Sequence, residues 1–362
     1  MKKILKIILI VFNSILLLLF VGSTLAGWIA PSRSIVFSYL SYGYLYLLFA
    51  NVAFIILWLC LKSKWFLMST VAIVLRFAFL PLFFQIGGSE TLPNGIDESE
   101  CIKLLTFNAH RFQGNERQEP MTDTNMKLFL EVVDEEQPDI LTMQEYIGRG
   151  DTLHLTDQLT RRGYVYQVSG YNNGSMTGTV IFSKLPLFNE VHLDGVKCYA
   201  DMLWRGDTVR LFSLHLDSYR LDESDHQEIH KLSHGTVDNT TGRSTLYKFR
   251  ETILAHEQEW HQLEPLVNTG RRILLAGDFN DTPASYIYQK LSRHLKDGYR
   301  EAGQGFSTTY HGSFASLRNN MSLAFRIDFV MHTPDITTCT YKRIKLEISD
   351  HYPVLVTVRK QS

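Results

Sequence analysis

The stretch LLAGDFNDTP, residues 274–283, carries an aliphatic run straight into an acid and an amide, Asp278 and Asn280, separated by one phenylalanine. On a strand, side chains two apart point to the same side, so Asp278 and Asn280 are expected to reach one site while Phe279 turns into a core. The same pattern of an apolar strand with polar groups at its end recurs at Asn108 after KLLTF, at Glu145 after DILTMQ, at His215 after RLFSL, and at Asp350 and His351 before YPVLVTV. Each has an ordinary reading on its own: a buried Asn caps a turn, Gln144-Glu145 is solvated, and Asp350-His351 caps a turn or helix. Together, these strand ends offer carboxylates, amides and imidazoles to a shared site.

Around these ends, short β-like runs (102–107, 140–143, 179–182, 209–215, 273–276, 325–331 and 354–358) alternate with helical segments, which indicates a mixed, layered α/β domain. Leu246, Phe249, Ile253, His256, Trp260 and Leu263 recur at spacings of three and four and predict one helix, with Pro265 near its end. His256 on that stripe reads as a hydrogen-bonded packing residue before it reads as a ligand. A second helix is expected over 126–136, stopped by Gln137-Pro138. Arg205-Gly206-Asp207, between two apolar runs, reads as a hairpin turn. The polar segment 221–245 reads as a solvated excursion, although His226, His230 and His234 would share a face if it were helical.

The first 87 residues are different in kind. No charged residue lies between Lys6 and Arg33, or between Arg33 and Lys62, and each interval supplies the roughly 20 apolar residues that a membrane-spanning helix needs. A third run, Trp65 to Ile86, is interrupted by Arg76, which must face other helices or snorkel to an interface. Spans are therefore expected at 4–30, 35–61 and 65–86, followed by a breaker-rich linker at 88–100 and an α/β domain at 101–362. The lysines before the first span and between the second and third mark the cytoplasmic ends. Three spans then make this an integral protein of the bacterial inner membrane, with its domain on the periplasmic or extracellular side; two spans would reverse the side. Beyond residue 87 there are 29 basic and 37 acidic residues, a formal balance of −8, which opposes a generic polyanion-binding surface. The four cysteines show neither metal-ligand spacing nor a dense disulfide framework.

Taken in order, TFNAHRF, LTMQEY, GTVIFSKLPL, LFSLHLDS, AGDFNDTP, RIDFVM and SDHYPV resemble the motif set of the endonuclease/exonuclease/phosphatase superfamily, the DNase I-like group, over about residues 101–358. The resemblance implies a four-layer sandwich, two mixed β-sheets packed face to face with helices outside, and a site at one end of the sheets. It also implies a divalent cation, Mg²⁺ with Mn²⁺ as a possible substitute, held by Asn108, Glu145 and Asp350. Hard oxygen donors of this type suit Mg²⁺. By the same similarity, Asp278 orients or activates the attacking water, Asn280 helps hold the phosphate and His215 donates to a phosphoryl oxygen. His351, paired with Asp328, acts in proton transfer or charge stabilisation, and either Asp278 or His351 is the base. The alternative for Asp328 is an ion pair with Arg326.

The implied activity is hydrolysis of phosphodiesters or phosphomonoesters, with a nucleic acid, a phospholipid head group or a small phosphoester as substrate. The bilayer is the other partner, and no feature calls for a protein partner. HLDSYR at His215 departs from the tyrosine-and-asparagine motif of abasic-site endonucleases, and Ser213-Leu214-His215 lacks the asparagine of the inositol-polyphosphate phosphatases. A sphingomyelinase-like lipid phosphodiesterase and an extracytoplasmic nuclease both remain open. A catalytically silent membrane module would show gaps at the site positions, and all eight are filled.

Overall fold

The structure, a computed structural model, describes residues 2–113, 123–147, 154–171, 177–193, 197–219, 225, 243–306, 308–312 and 325–361. The segment carrying His226, His230 and His234 lies outside the described residues.

Two six-stranded sheets form the centre. One contains β2 (Cys101–Asn108), β3 (Ile140–Ile147), β4 (Tyr166–Tyr171), β5 (Thr177–Ser183), β13 (Ile336–Arg343) and β14 (Val354–Lys360), in the order β13-β14-β2-β3-β5-β4. The other contains β6 (Leu187–Leu193), β7 (Lys197–Trp204), β8 (Asp207–His215), β9 (Arg272–Asp278), β10 (Lys296–Asp297) and β12 (Asp328–His332), in the order β10-β12-β9-β8-β7-β6. β2 and β3 run parallel, as do β8 and β9, and the remaining pairings are antiparallel. Of the hairpin turn expected at Arg205-Gly206-Asp207, Arg205 and Gly206 form the turn that closes the β7–β8 hairpin, both at positive φ, the geometry that matches strand twist, and Asp207 already begins β8.

Strand alternation builds the layers. Leu274 and Ala276 of β9 pack between the sheets with Leu211, Leu104 and Val356. Ile273 and Leu275 point the other way, onto Trp260 and Leu263 of helix α7 (Arg243–Val267). On the far sheet Leu105 and Phe107 face Phe129 and Val133 of α5 (Asp123–Glu136). This is the expected four-layer sandwich, two mixed β-sheets flanked by helices. The α7 stripe starts later than its spacing suggests: Leu246 is exposed, whereas Ile253, His256, Trp260 and Leu263 are buried. Pro265 lies in the last turn of the helix, near its end as expected.

The N-terminal region is a helical bundle: α1 (Lys2–Ser23), α2 (Ile35–Tyr42), α3 (Tyr44–Cys60) and α4 (Phe66–Leu75). At about 1.5 Å per residue α1 is about 33 Å long, enough for a bilayer core, and it is an apolar candidate span. The 35–61 segment is not one straight helix, since it bends by 68° at Gly43. Nor is 65–86 one helix: α4 stops before Arg76, and a 3-10 turn at Phe77–Leu82 containing Pro81 leads to β1 (Phe84–Gln85), which pairs with β11 (Gly305–Phe306). Proline removes a helical donor and clashes with the carbonyl four residues back, so Pro81 keeps the 77–82 segment from resuming as α-helix.

Polar side chains lie inside this bundle. Trp58 Nε1 donates to Asn13 Oδ1, Asn13 Nδ2 to Ser69 Oγ and Ser69 Oγ to Asn51 Oδ1, each at 2.9 Å. Large apolar side chains such as Ile8, Phe12, Leu18, Val71 and Leu75 lie outside. The bundle also shares a core with the sandwich, Phe20, Tyr44, Leu82 and Phe83 packing with Tyr286, Tyr288 and Leu295. The linker is likewise docked: Ser89 N donates to Ala302 O, and Tyr341 N to Ser89 O.

Candidate active site

Strand polarity brings the site together. The parallel pairs put the C-terminal ends of β2, β3, β8 and β9 at one edge, and the antiparallel neighbours β12 and β14 begin at that same edge. Asn108 therefore pairs with Gln144, His215 with Asp278, and Asp278 with Asp328. Polar residues far apart in sequence meet because they end or begin strands.

Asp278 is at the centre and fully buried. Its Oδ2 accepts from Asn108 Nδ2 at 2.9 Å, and its Oδ1 from the Asn280 backbone N–H at 2.8 Å. His215 Nε2 and His351 Nε2 stand 3.7 and 3.8 Å from Oδ2. Burial pushes the Asp278 carboxyl above the ordinary carboxylate range; the imidazoles of His351 and His215 pull against this, while Asp328 adds to it. His351 Nδ1 bonds Asp328 Oδ2 at 2.9 Å, and Tyr310 lies edge-on to its ring. Burial alone would lower the His351 pKa, but Asp328 and Asp278 outweigh it and hold the pKa well above the ordinary imidazole value. The Asp328–Arg326 alternative does not occur: Arg326 turns away to Asp297 at 2.7 Å and to Leu82 O at 2.9 Å.

Glu145 lies in a β-bulge where the β3–β5 register shifts between Met143 and Tyr146, with φ of 49°. A bulge re-aims a side chain that simple alternation would place elsewhere. Burial would raise its pKa, but His215, His110, His351 and Arg111 together hold the carboxyl below the ordinary range. Asp350 Oδ1 faces His110 Nδ1 at 3.4 Å and His351 Nε2 at 3.9 Å. Asn108 Oδ1 accepts the His110 N–H at 3.0 Å.

Asn280 arrives by a different route from the expected strand alternation. β9 ends at Asp278, and Asn280 turns into the left-handed region at φ 49°, while Phe279 is buried as expected. One amide hydrogen of Asn280 goes to Leu216 O at 3.0 Å, which leaves the second available.

A divalent cation fits this donor set. Asp278, Asp328 and His351 offer ligand atoms within 4.8 Å of one another. Asp278 and Asp328 are directly opposed carboxylates, an arrangement that costs free energy without a compensating positive charge. Asp328 Oδ1 is buried without a hydrogen-bond partner. Both oxygens of Asp278 and the Nδ1 of His351 are already engaged. Among the described residues the Glu145 carboxylate forms no hydrogen bond or ion pair, although cationic and imidazole groups surround it.

Several contributors were not singled out from the sequence. His110, within TFNAHRF, approaches Asp350 and Glu145. Ser349 Oγ donates to Asn108 O at 2.7 Å and accepts from His351 N at 3.1 Å. Asp281 bonds His256 Nδ1 at 2.9 Å, so His256 is a hydrogen-bonded packing residue as its stripe suggested. Membership of the quoted motifs TFNAHRF, SDHYPV and AGDFNDTP was the available signal for His110, Ser349 and Asp281.

Comparison with known proteins agrees with this geometry. The model of the "Endonuclease/Exonuclease/phosphatase family" matches residues 105–351, and that of a domain of unknown function, DUF8431, matches residues 5–83. No curated protein matches. The chain is similar to the crystal structure of an endonuclease/exonuclease/phosphatase from Beutenbergia cavernae, at 15% identity and a TM-score of 0.50, covering 73% of this chain and 72% of that one. It is also similar to the human Nocturnin catalytic domain with bound sulfate, at 15% identity and a TM-score of 0.50, covering 72% of this chain and 94% of that one. At such identities the likeness speaks for the fold. The family match extends over more than half of the sequence and contains all eight site positions, so the chain belongs to the endonuclease/exonuclease/phosphatase family.

Proposed function

We propose that this chain is a divalent-metal-dependent phosphoesterase held at a membrane by its N-terminal helices. The family is one of phosphoester hydrolases and nucleases, and the observation that carries the finer reading is the Glu145 carboxylate. It is re-aimed by a bulge, acidic, without a protein partner among the described residues, and beside the Asp278–Asp328–His351 cluster. Glu145 would hold the ion with the amide oxygen of Asn108, and Asp350 borders the same space. When bound, Mg²⁺ or Mn²⁺ polarises a phosphoryl oxygen and makes bound water more acidic.

The chain's own groups divide the remaining work. Asn108 and the Asn280 N–H hold the Asp278 carboxylate, which is suited to orient the attacking water and take its proton. Asp328 fixes the His351 tautomer through Nδ1, so Nε2 faces the cluster and can stabilise charge growing on the phosphoryl oxygens. His215 and the free amide hydrogen of Asn280 are further donors for the phosphate. The water oxygen bonds to phosphorus, the ester P–O bond breaks, and the departing oxygen is protonated from solvent.

Two observations support membrane embedding. The helical bundle is apolar outside and hydrogen-bonded inside, the arrangement helices adopt in lipid. Lys6, Lys62 and Lys64 line one cleft at one end of the bundle, whereas Ser32, Tyr42 and Leu82 touch the sandwich from the other. The chain thus traverses the bundle three times despite its broken helices, and the basic end reads as cytoplasmic with the sandwich on the opposite side.

The test is turnover of a chromogenic phosphodiester, DNA, RNA, sphingomyelin and phosphoinositides by the full chain in detergent micelles, with Mg²⁺ or Mn²⁺ and with chelator. Chelator-sensitive turnover of one class, reduced about 10²-fold or more in Glu145→Gln, is expected. Turnover indifferent to both chelator and Glu145→Gln would sink the reading.

A further inference from the structure

Asp281 lies three residues beyond Asp278, is buried, and has its hydrogen-bond partners outside the Asp278–Asp328–His351 cluster. Its Oδ1 accepts from the Thr282 N–H and from the Tyr42 hydroxyl, each at 2.8 Å, and its Oδ2 meets His256 Nδ1 at 2.9 Å. Tyr42 belongs to the N-terminal bundle, where it is the last residue of α2, at the bend into α3. Its hydroxyl also hydrogen-bonds the hydroxyl of Tyr219, and its ring packs edge-on against Tyr219 and Phe249 at 6.1 and 6.0 Å. The other nitrogen of His256 meets Asp217 O at 2.8 Å, and Asn280 Nδ2 donates to Leu216 O at 3.0 Å. The segment following His215 and the turn following Asp278 are thereby tied to each other and to Tyr42.

We propose that Tyr42 is a positioning residue: its hydroxyl fixes the Asp278–Thr282 turn through Asp281, so the N-terminal bundle completes the support of the active site. The catalytic consequence rests on the phosphoesterase reading; the ordering of the turn does not. A buried carboxylate must have hydrogen-bond donors, and Tyr42 supplies one of the three seen here. The turn also holds Asn280 at φ 49°, a left-handed conformation that asparagine adopts more readily than other non-glycine residues and that places its N–H on Asp278 only while the turn keeps its shape. The Asn280 N–H is one of the two donors that orient Asp278, so loosening the turn loosens the site.

The experiment uses the full chain in detergent micelles and compares Tyr42→Phe, which keeps the ring packing, with the wild type. Tyr39→Phe is the control, because the Tyr39 hydroxyl also links the bundle to the sandwich, at Leu246 O, but away from the turn. Hydrogen exchange is followed at Phe279, Asn280 and Thr282, whose amides donate to Ile327 O, Asp278 Oδ1 and Asp281 Oδ1. Kinetics use the chromogenic phosphodiester with Mg²⁺.

For Tyr42→Phe, exchange in the turn is expected to rise about tenfold and kcat to fall about tenfold, with KM within about twofold. Tyr39→Phe is expected to match the wild type in both. Unchanged exchange in Tyr42→Phe overturns the proposal, and faster exchange with unchanged kcat overturns its catalytic part. A wild type without turnover defeats the phosphoesterase reading, and exchange then decides the positioning role alone. If Tyr42→Phe does not fold, Asp281→Asn, which keeps the side-chain shape but removes the charge that the Tyr42 hydroxyl meets, is read by the same two measurements with the same expected directions.

Discussion

At the scale of single residues, the site is a set of committed hydrogen bonds around a few uncommitted atoms. Asp328 keeps Oδ2 on His351 and leaves Oδ1 without a partner. Asp328→Asn preserves shape but removes the charge that holds the imidazole, so kcat is expected to fall about 10²-fold or more with the circular dichroism spectrum unchanged. Activity within about threefold of wild type would remove Asp328 from the proton-handling pair.

His256 gives a prediction about stability. Burial alone would lower its pKa, but the hydrogen bond and charge of Asp281, the Glu259 carboxylate and the Asp217 carbonyl raise it to about 9; Tyr219 also packs on the ring. Because the folded-state pKa lies above the unfolded value, this stabilisation is fully present below the unfolded pKa and is lost as pH rises through about 9. Melting temperature measured between pH 7 and 10 should therefore fall more steeply in the wild type than in His256→Gln. Parallel slopes would show that the Asp281–His256 pair does not contribute in this way.

At the scale of elements, the seven strand runs legible in the sequence are all interior strands, whose aliphatic residues are buried on both faces. In the two large sheets β4, β6, β10 and β13 went unread, and all four are sheet edges; interior β7 was read only at its Met202–Trp204 end, as one side of the hairpin. An edge strand has one neighbour fewer and reads as polar; β6, LFNEVHL, is half exposed, and β13, ITTCTYKR, is rich in threonine. The β8–β9 contact next to the site depends on one glycine. Gly277 has φ of 146°, and a Cβ there would lie 2.0 Å from Leu214 O. Gly277→Ala must part the two strands that carry His215 and Asp278. The yield of folded protein in detergent micelles should drop sharply, and any folded fraction should have lost turnover; a well-folded, active Gly277→Ala would contradict the register.

At the scale of the whole molecule, the N-terminal bundle and the sandwich are not a tether and its cargo. Ser32 bonds Glu257, the Leu82 carbonyl accepts from buried Arg326, Arg293 stacks on Trp28 and donates to Gly27 O, and the apolar core is continuous across the junction. A fragment beginning at Asp97 would expose Tyr286, Tyr288 and Leu295 and strip Arg326 of its carbonyl partner. Its melting temperature, followed by intrinsic fluorescence, is expected to lie about 10 °C or more below that of the full chain. Equal melting temperatures would show the bundle to be dispensable to the sandwich.

The sequence alone determined the layered α/β sandwich, the apolar N-terminal region and the eight polar positions at strand ends, because these follow from local alternation and from motifs in a fixed order. Asn280 was found for an incomplete reason, since a left-handed turn and not strand alternation brings it to Asp278. What only the tertiary structure decided is how those ends meet and what holds them. The bulge that re-aims Glu145, the turn of Arg326 towards Asp297 and not Asp328, and the reach of Tyr42 to Asp281 all join residues through space. Side-chain periodicity records which face of an element is buried; it carries no information about which distant element buries it.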